Sequence, residues 1–173
     1  MLFLALVSGP PNSSACLTYC ADLAAVNSEI FFSELVYFEI GQAFREIARR
    51  PHMRGELDAT LVDRFQLQDW SRSAKVRKGW LEYGESELSR LLRQFHAFTE
   101  LPIDGVLIGA ALQLMAECDL TSNDALHVAT ANLHEIEVLA SVDDDFVRAV
   151  DFVDEVLTVR DTGIEISHRR AKV

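Results

Sequence analysis

The chain has 173 residues, 49% of them hydrophobic and 25% charged, with a formal charge of −11. Length and composition fit one globular domain with its own core and exclude a disordered or fibrous class. A pI of about 4.8 excludes a protein that coats nucleic acid through a broad basic face, since phosphate affinity rests largely on Lys and Arg.

Met1 to Val7 is apolar, but it lacks a basic leader and is far shorter than the roughly 20 residues of a membrane span. Ser14-Ala15-Cys16 has only a faint likeness to a lipoprotein cleavage site, so the segment is expected to be buried structure. Gly9 to Ser14 reads as a loop. A helical pattern then runs through Cys16, Leu17, Cys20, Leu23 and Ala24 to about Asn27. Cys16, Cys20 and Cys118 are odd in number and complete no zinc pattern, which points to reduced thiols and a cytoplasmic protein.

Glu29-Ile-Phe-Phe32 reads as a short strand, and Ser33 as the N-cap of a helix from about Glu34 to Arg49. Val36, Ile40, Ala43, Phe44 and Ile47 give that helix one buried face, with Glu39 on its edge. A carboxylate so placed needs a partner, because burying an isolated charge is expensive. Pro51 to Gly55 breaks the pattern, and two amphipathic scaffold helices are predicted from Glu56 to about Trp70 and from Gly79 to about Phe98. Arg45, Arg49, Arg50 and Arg54 form one basic run, and Arg72, Lys75, Arg77 and Lys78 another. Both read first as solvated helix faces and secondarily as guides for a phosphate backbone.

Ile103 to Cys118 is predicted as a helix whose Gly109, Ala110 and Ala111 permit close packing. Thr121 can cap the next helix, with Asp124 in its first turn and an end near His134. Val138 to Val142 reads as a strand covered on both faces, and Asp143 falls at its carboxyl end, where open α/β sheets place ligands. This alternation favours an α/β layer fold with a short parallel sheet, and no repeat or long linker divides the chain.

In such a fold Asp124 and Asp143 can converge at one sheet edge, and Glu39 could join them. Two carboxylates about 4 Å apart repel by ~4 kcal/mol at an effective dielectric near 20, so three together oppose folding by on the order of 10 kcal/mol. A cation is then needed, and oxygen-only ligands suit Mg²⁺ or Mn²⁺ better than Zn²⁺. The expected chemistry is phosphodiester hydrolysis by water, with the metal offsetting the developing oxyanion. Each acid also has a plainer reading. Asp124 can serve only as a helix cap, Glu39 as a surface or ion-paired residue, and Asp143 to Asp145 as a solvated turn. His127 and His134 read as structural, because nothing pairs them with a nucleophile. Asp143-x-Asp145-x-Val147 is also similar to the nucleophile motif of haloacid-dehalogenase-type phosphatases, but that family carries it at the first strand with lysine and further acids far downstream.

Three stretches together resemble a PIN domain, the metal-dependent ribonuclease fold of VapC-type toxins. Ser33 to Ile40 resembles the stretch carrying the family's helix acid and selects Glu39. Asp124-Ala-Leu-His-Val-Ala-Thr-Ala131 is similar to the family's helix opening and selects Asp124. Ser141 to Phe146 is similar to its Ser/Thr-x-Asp-x-Asp-Phe pattern and selects Asp143, with Asp145 assisting directly or through water. The resemblance covers about residues 1–42 and 110–159 of a single domain, 1–173, with about 51–109 an enlarged helical region.

The resemblance implies a three-layer PIN-like fold and an Mg²⁺ or Mn²⁺ ribonuclease with Glu39, Asp124 and Asp143 as metal ligands. It also implies RNA as substrate, the toxin role in a toxin-antitoxin pair, an antitoxin partner and a homodimer, with no membrane association. The chain departs from the family at its start. The family's first strand ends in a metal-binding Asp, whereas Met1 to Val7 resembles the helix that follows it. Two readings result: a numbered start about one strand late in an active ribonuclease, or a catalytically inactive PIN-like binding or regulatory module.

Overall fold

The computed structural model describes residues 13–49, 63–65, 67–160 and 163–169. The apolar stretch 1–7, most of the 9–14 loop, Arg50, Arg54 and most of the predicted 56–70 helix lie outside these residues. Among the described residues, 31–35 and 99–169 form one compact unit, and 13–30 and 36–98 form another.

The second of these units is helical. Helix α1 (Ser13–Ala25) buries Cys16 and Cys20, one turn apart, and strand β1 (Glu29–Ser33) begins shortly after it. Burial, with Cys16 adding to it, pushes the Cys20 thiol up to about 11. Helix α2 (Leu35–Arg49) turns Val36, Ile40, Phe44 and Ile47 inward, the face predicted from their spacing. Ser33 does not cap it. Its hydroxyl is buried at the end of β1 and has no hydrogen-bond partner, so strand burial overrides capping there.

Helix α3 (Ala74–Leu92) starts earlier and ends earlier than its periodicity suggests. Ser73 Oγ accepts the Val76 N–H at 3.3 Å and so fixes the start. Gly84 lets α2 approach α3, since a Cβ there would lie 2.8 Å from Phe44 Cδ2. Phe44 and Tyr83 pack edge to face with centroids 5.2 Å apart. Residues 67–70 are not helical, contrary to expectation: Asp69 Oδ1 accepts from the Ser71 N–H and hydroxyl, a local turn that competes with helix. Trp80 Nε1 pins this stretch by donating to the Gln68 carbonyl at 2.9 Å.

The other unit is α/β. Strand β2 (Ala97–Leu101) occupies residues expected to extend a helix, because it pairs with β1 in a two-stranded sheet. The Glu34 N–H donates to the Leu101 carbonyl, and Glu34 Oε2 accepts the Ile103 N–H, both at 3.1 Å. Helix α4 (Gly105–Cys118) is capped by Asp104, whose carboxylate accepts the Val106 and Leu107 N–H groups. Helix α5 (Ser122–Leu133) follows after Asp119 takes the left-handed conformation, φ 53, at the end of α4.

Leu107, Ala111, Leu114 and Cys118 of α4 meet Ala125, Val128 and Ala129 of α5 in one core with Phe146, Ala149 and Val156. The alanines bring the two helix backbones close, and each large side chain buried here contributes roughly 1.5–3 kcal/mol. Strand β3 (Val138–Ser141) pairs in parallel with β4 (Glu155–Arg160), Ser141 standing opposite Thr158. A 3₁₀ helix (Asp144–Ala149) lies on the crossover, and β4 continues antiparallel into β5 (Gly163–Arg169). The sheet is therefore mixed rather than wholly parallel. Strand β3 is also less covered than its composition suggests, with Val138 39% exposed and only Ser141 buried.

Candidate active site

Asp124 owes its position to helix capping. Thr121 Oγ1 accepts the Asp124 N–H at 3.4 Å, and the same hydroxyl donates to Asp124 Oδ2 at 2.6 Å. This reciprocal pair satisfies an otherwise orphaned helix N–H and fixes the carboxylate, which the helix dipole also favours. Asp124 is half-buried, and its neighbour Ala125 lies fully inside the core.

Asp143 sits where β3 gives way to the 3₁₀ helix. Its N–H donates to Ser141 Oγ at 3.1 Å, and its Oδ1 accepts the Asp145 N–H at 2.9 Å, so the acid caps the turn that follows it. Phe146, in that same turn, enters the core that also holds Ala125. Asp124, at a helix start, thus adjoins one residue of this core, and Asp143, at a strand end, lies three residues before another.

Neighbouring acids in the turn are treated differently. Asp145 pairs with Arg148, Oδ1 to Nη2 at 2.9 Å, while Asp144 pairs with Arg160 from the end of β4. Asp143 has no ion-pair partner among the described residues. Both arginines were missed by sequence reasoning. Arg148 was within reach of it, being three residues after Asp145 at ion-pair spacing. Arg160 was not, because only the strand pairing brings it back.

Glu39 is half-buried on α2 in the helical unit, as its place on the edge of the apolar face suggests. His134 is the exposed C-cap residue of α5, and His127 is half-buried within that helix. Among the described residues, no three His, Cys, Asp or Glu side chains come close enough together to hold one metal ion. The donor chemistry nevertheless fits a hard cation, because Mg²⁺ is commonly held by one or two carboxylates and completed by water and substrate phosphate.

The α/β unit packs helices on short strands and presents carboxylates at a helix start and a strand end. The chain belongs to the PIN domain family, whose model matches residues 2–151. No curated protein and no solved structure matches the chain. Among the described residues, no helix is long and apolar enough to cross a membrane.

Proposed function

We propose that the chain is a metal-dependent ribonuclease that hydrolyses RNA phosphodiester bonds, with Asp124 and Asp143 as acids toward Mg²⁺ or Mn²⁺, water and substrate phosphate completing the shell, and Asp145 assisting; the described residues gather no three such acids, so Glu39 is not assigned to the ion. The observation that carries this reading is the family match over residues 2–151, in a chain where Asp124 opens a helix and Asp143 ends a strand, each within three residues of the same apolar core. When bound, a divalent ion supplies charge against the developing oxyanion of phosphodiester cleavage. The chain's own part is positional. Thr121 orients Asp124, and Ser141 with the Asp145 N–H orients Asp143.

The family match runs across both compact units, which supports treating residues 1–173 as one PIN-like domain with 51–109 as its enlarged helical part. We assign the toxin role of a toxin-antitoxin pair, with an antitoxin partner in the cytoplasm, on family likeness alone. A homodimer is supported by the apolar outer face of α4, where Val106 and Leu112 are 69% and 61% exposed. The second reading, an inactive binding or regulatory module, is favoured by the lack of a three-ligand group among the described residues.

Cleavage of single-stranded RNA with and without Mn²⁺ separates the two. The ribonuclease reading expects Mn²⁺-dependent cleavage that Asp124→Asn reduces by at least about 100-fold, roughly 2.7 kcal/mol of transition-state stabilisation, with an unchanged circular dichroism spectrum. Wild-type protein that is folded yet inert with Mn²⁺ would support the binding module instead.

A further inference from the structure

The two basic runs of the helical unit differ in how their charges are met. Arg45 and Arg49 lie toward the carboxyl end of α2, where the helix dipole favours a cation, and both reach Glu46 Oε1, at 3.7 and 3.9 Å. That run is explained by its own helix. The second run opens α3 instead. Arg72 precedes the Ser73 cap, and Lys75, Arg77 and Lys78 follow within the first turns, where the dipole disfavours cations and the first turn holds no acid. Residues 70–81 contain no Asp or Glu, in a chain of net charge −11. Lys78 meets Glu82 at 3.3 Å on the surface, and Arg72 donates to the neutral side-chain amide of Gln68. The side chains of Lys75 and Arg77 have no partner among the described residues. Lys75 and Lys78, three residues apart on the exposed face, repel each other as well. These charges work against the helix they begin.

An aromatic ring accompanies them. Trp70 is half-buried two residues before Arg72, whereas Trp80 is fully buried. We propose that Arg72, Lys75, Arg77 and Lys78, with Trp70 beside them, form a docking surface on the helical unit for single-stranded RNA. Cations and a partly exposed indole are the combination that holds such a strand, phosphates on the charges and a base on the ring. The choice of RNA rests on the ribonuclease reading above, but the surface needs no metal and none of the aspartates of the candidate active site. Charge complementarity carries the assignment, because cations that oppose their own helix gain a favourable partner in a polyanion. The acidic balance of the chain repels that polyanion elsewhere, which keeps the binding local. An acidic peptide would meet the same charges but would leave the indole without a base to stack on.

The test titrates the full chain with an oligouridylate of about ten nucleotides, at low salt and with EDTA present, and follows tryptophan fluorescence. Binding should quench Trp70, and log K should fall with log salt at a slope of roughly −2 to −3, since each phosphate met on a single strand contributes about −0.7. Lys75→Gln/Lys78→Gln should weaken binding at least about tenfold and make the slope shallower by about 1.4, while Lys75→Arg/Lys78→Arg stays within about twofold of wild type. The glutamine variant should melt at or above wild type, because it relieves charge at a helix start, so its lost binding is not lost fold. Lys75→Ala/Lys78→Ala serves if it folds poorly. Neutral variants that bind like wild type, or a wild-type chain whose fluorescence the RNA leaves unchanged, overturn the surface. Polyglutamate that displaces the RNA at equal charge concentration overturns the assignment to RNA and gives the surface to an acidic protein. Mn²⁺-dependent cleavage is read separately: cleavage that persists without a working surface leaves the ribonuclease reading standing, and RNA bound at the surface of a chain inert with Mn²⁺ upholds the surface alone.

Discussion

The bond between Thr121 and Asp124 links stability to the candidate chemistry, and replacing Thr121 by Val probes it. Val keeps the β-branched shape and removes the hydroxyl, so both the 3.4 Å cap and the 2.6 Å bond to the carboxylate disappear. Loss of an N-cap typically costs about 1 kcal/mol, and loss of a hydrogen bond to a half-exposed carboxylate adds up to about another 1 kcal/mol. For a chain of this length, 1–2 kcal/mol lowers Tm by roughly 3–6 °C. Thermal unfolding followed by circular dichroism reads this directly, with Thr121→Ser expected near the wild-type midpoint because it retains the oxygen. A Val variant that melts with wild type would show that the cap contributes nothing and that Asp124 is held some other way.

Two further perturbations probe the helical unit. A Cβ on Gly79 would stand 2.6 Å from the Phe65 carbonyl oxygen, a backbone atom that cannot swing aside. Gly79→Ala should therefore lower the urea midpoint by the equivalent of roughly 1–3 kcal/mol despite the better helix propensity of Ala; an equal or higher midpoint would refute the clash. Cys20 makes stability fall at alkaline pH, since burial raises its folded value to about 11, above the ordinary thiol value of 9.0. Its contribution is whole below pH 9 and is lost as pH rises toward 11, at up to about 1.4 kcal/mol per pH unit. Cys20→Ala should flatten the stability-pH curve in that window, whatever it does to stability at pH 7, and parallel curves would exclude the thiol as the cause.

Helices were legible in the sequence where one apolar face was strict and a cap stood at its start. Val36, Ile40, Phe44 and Ile47 marked α2, and Thr121 marked the first turn of α5. Legibility failed where distant chain decided the local state. Ala97 to Leu101 continues the periodicity of α3 but becomes a strand because β1 offers it a ladder. Ser33 has the chemistry of a cap but is the buried last residue of β1, with its hydroxyl unpartnered. At the candidate site, Asp124 was legible as a first-turn acid behind a Thr121 cap and Asp143 as the acid at a strand's carboxyl end, and the structure gives each that local position. The arginines that divide the acidic turn among themselves carry no such signature when, like Arg160, they return only through the fold.

The crossover from β3 to β4 has a consequence for how this region can change. Two parallel strands side by side require the chain to travel back along their whole length, and residues 142–154 do this with little more than the dozen or so positions such a return demands. Asn132 clasps that return, its Nδ2 donating to the Phe152 carbonyl at 2.6 Å. A deletion here would leave the return too short for the parallel register of β3 and β4. Asp143, Asp144 and Asp145 ride on that return.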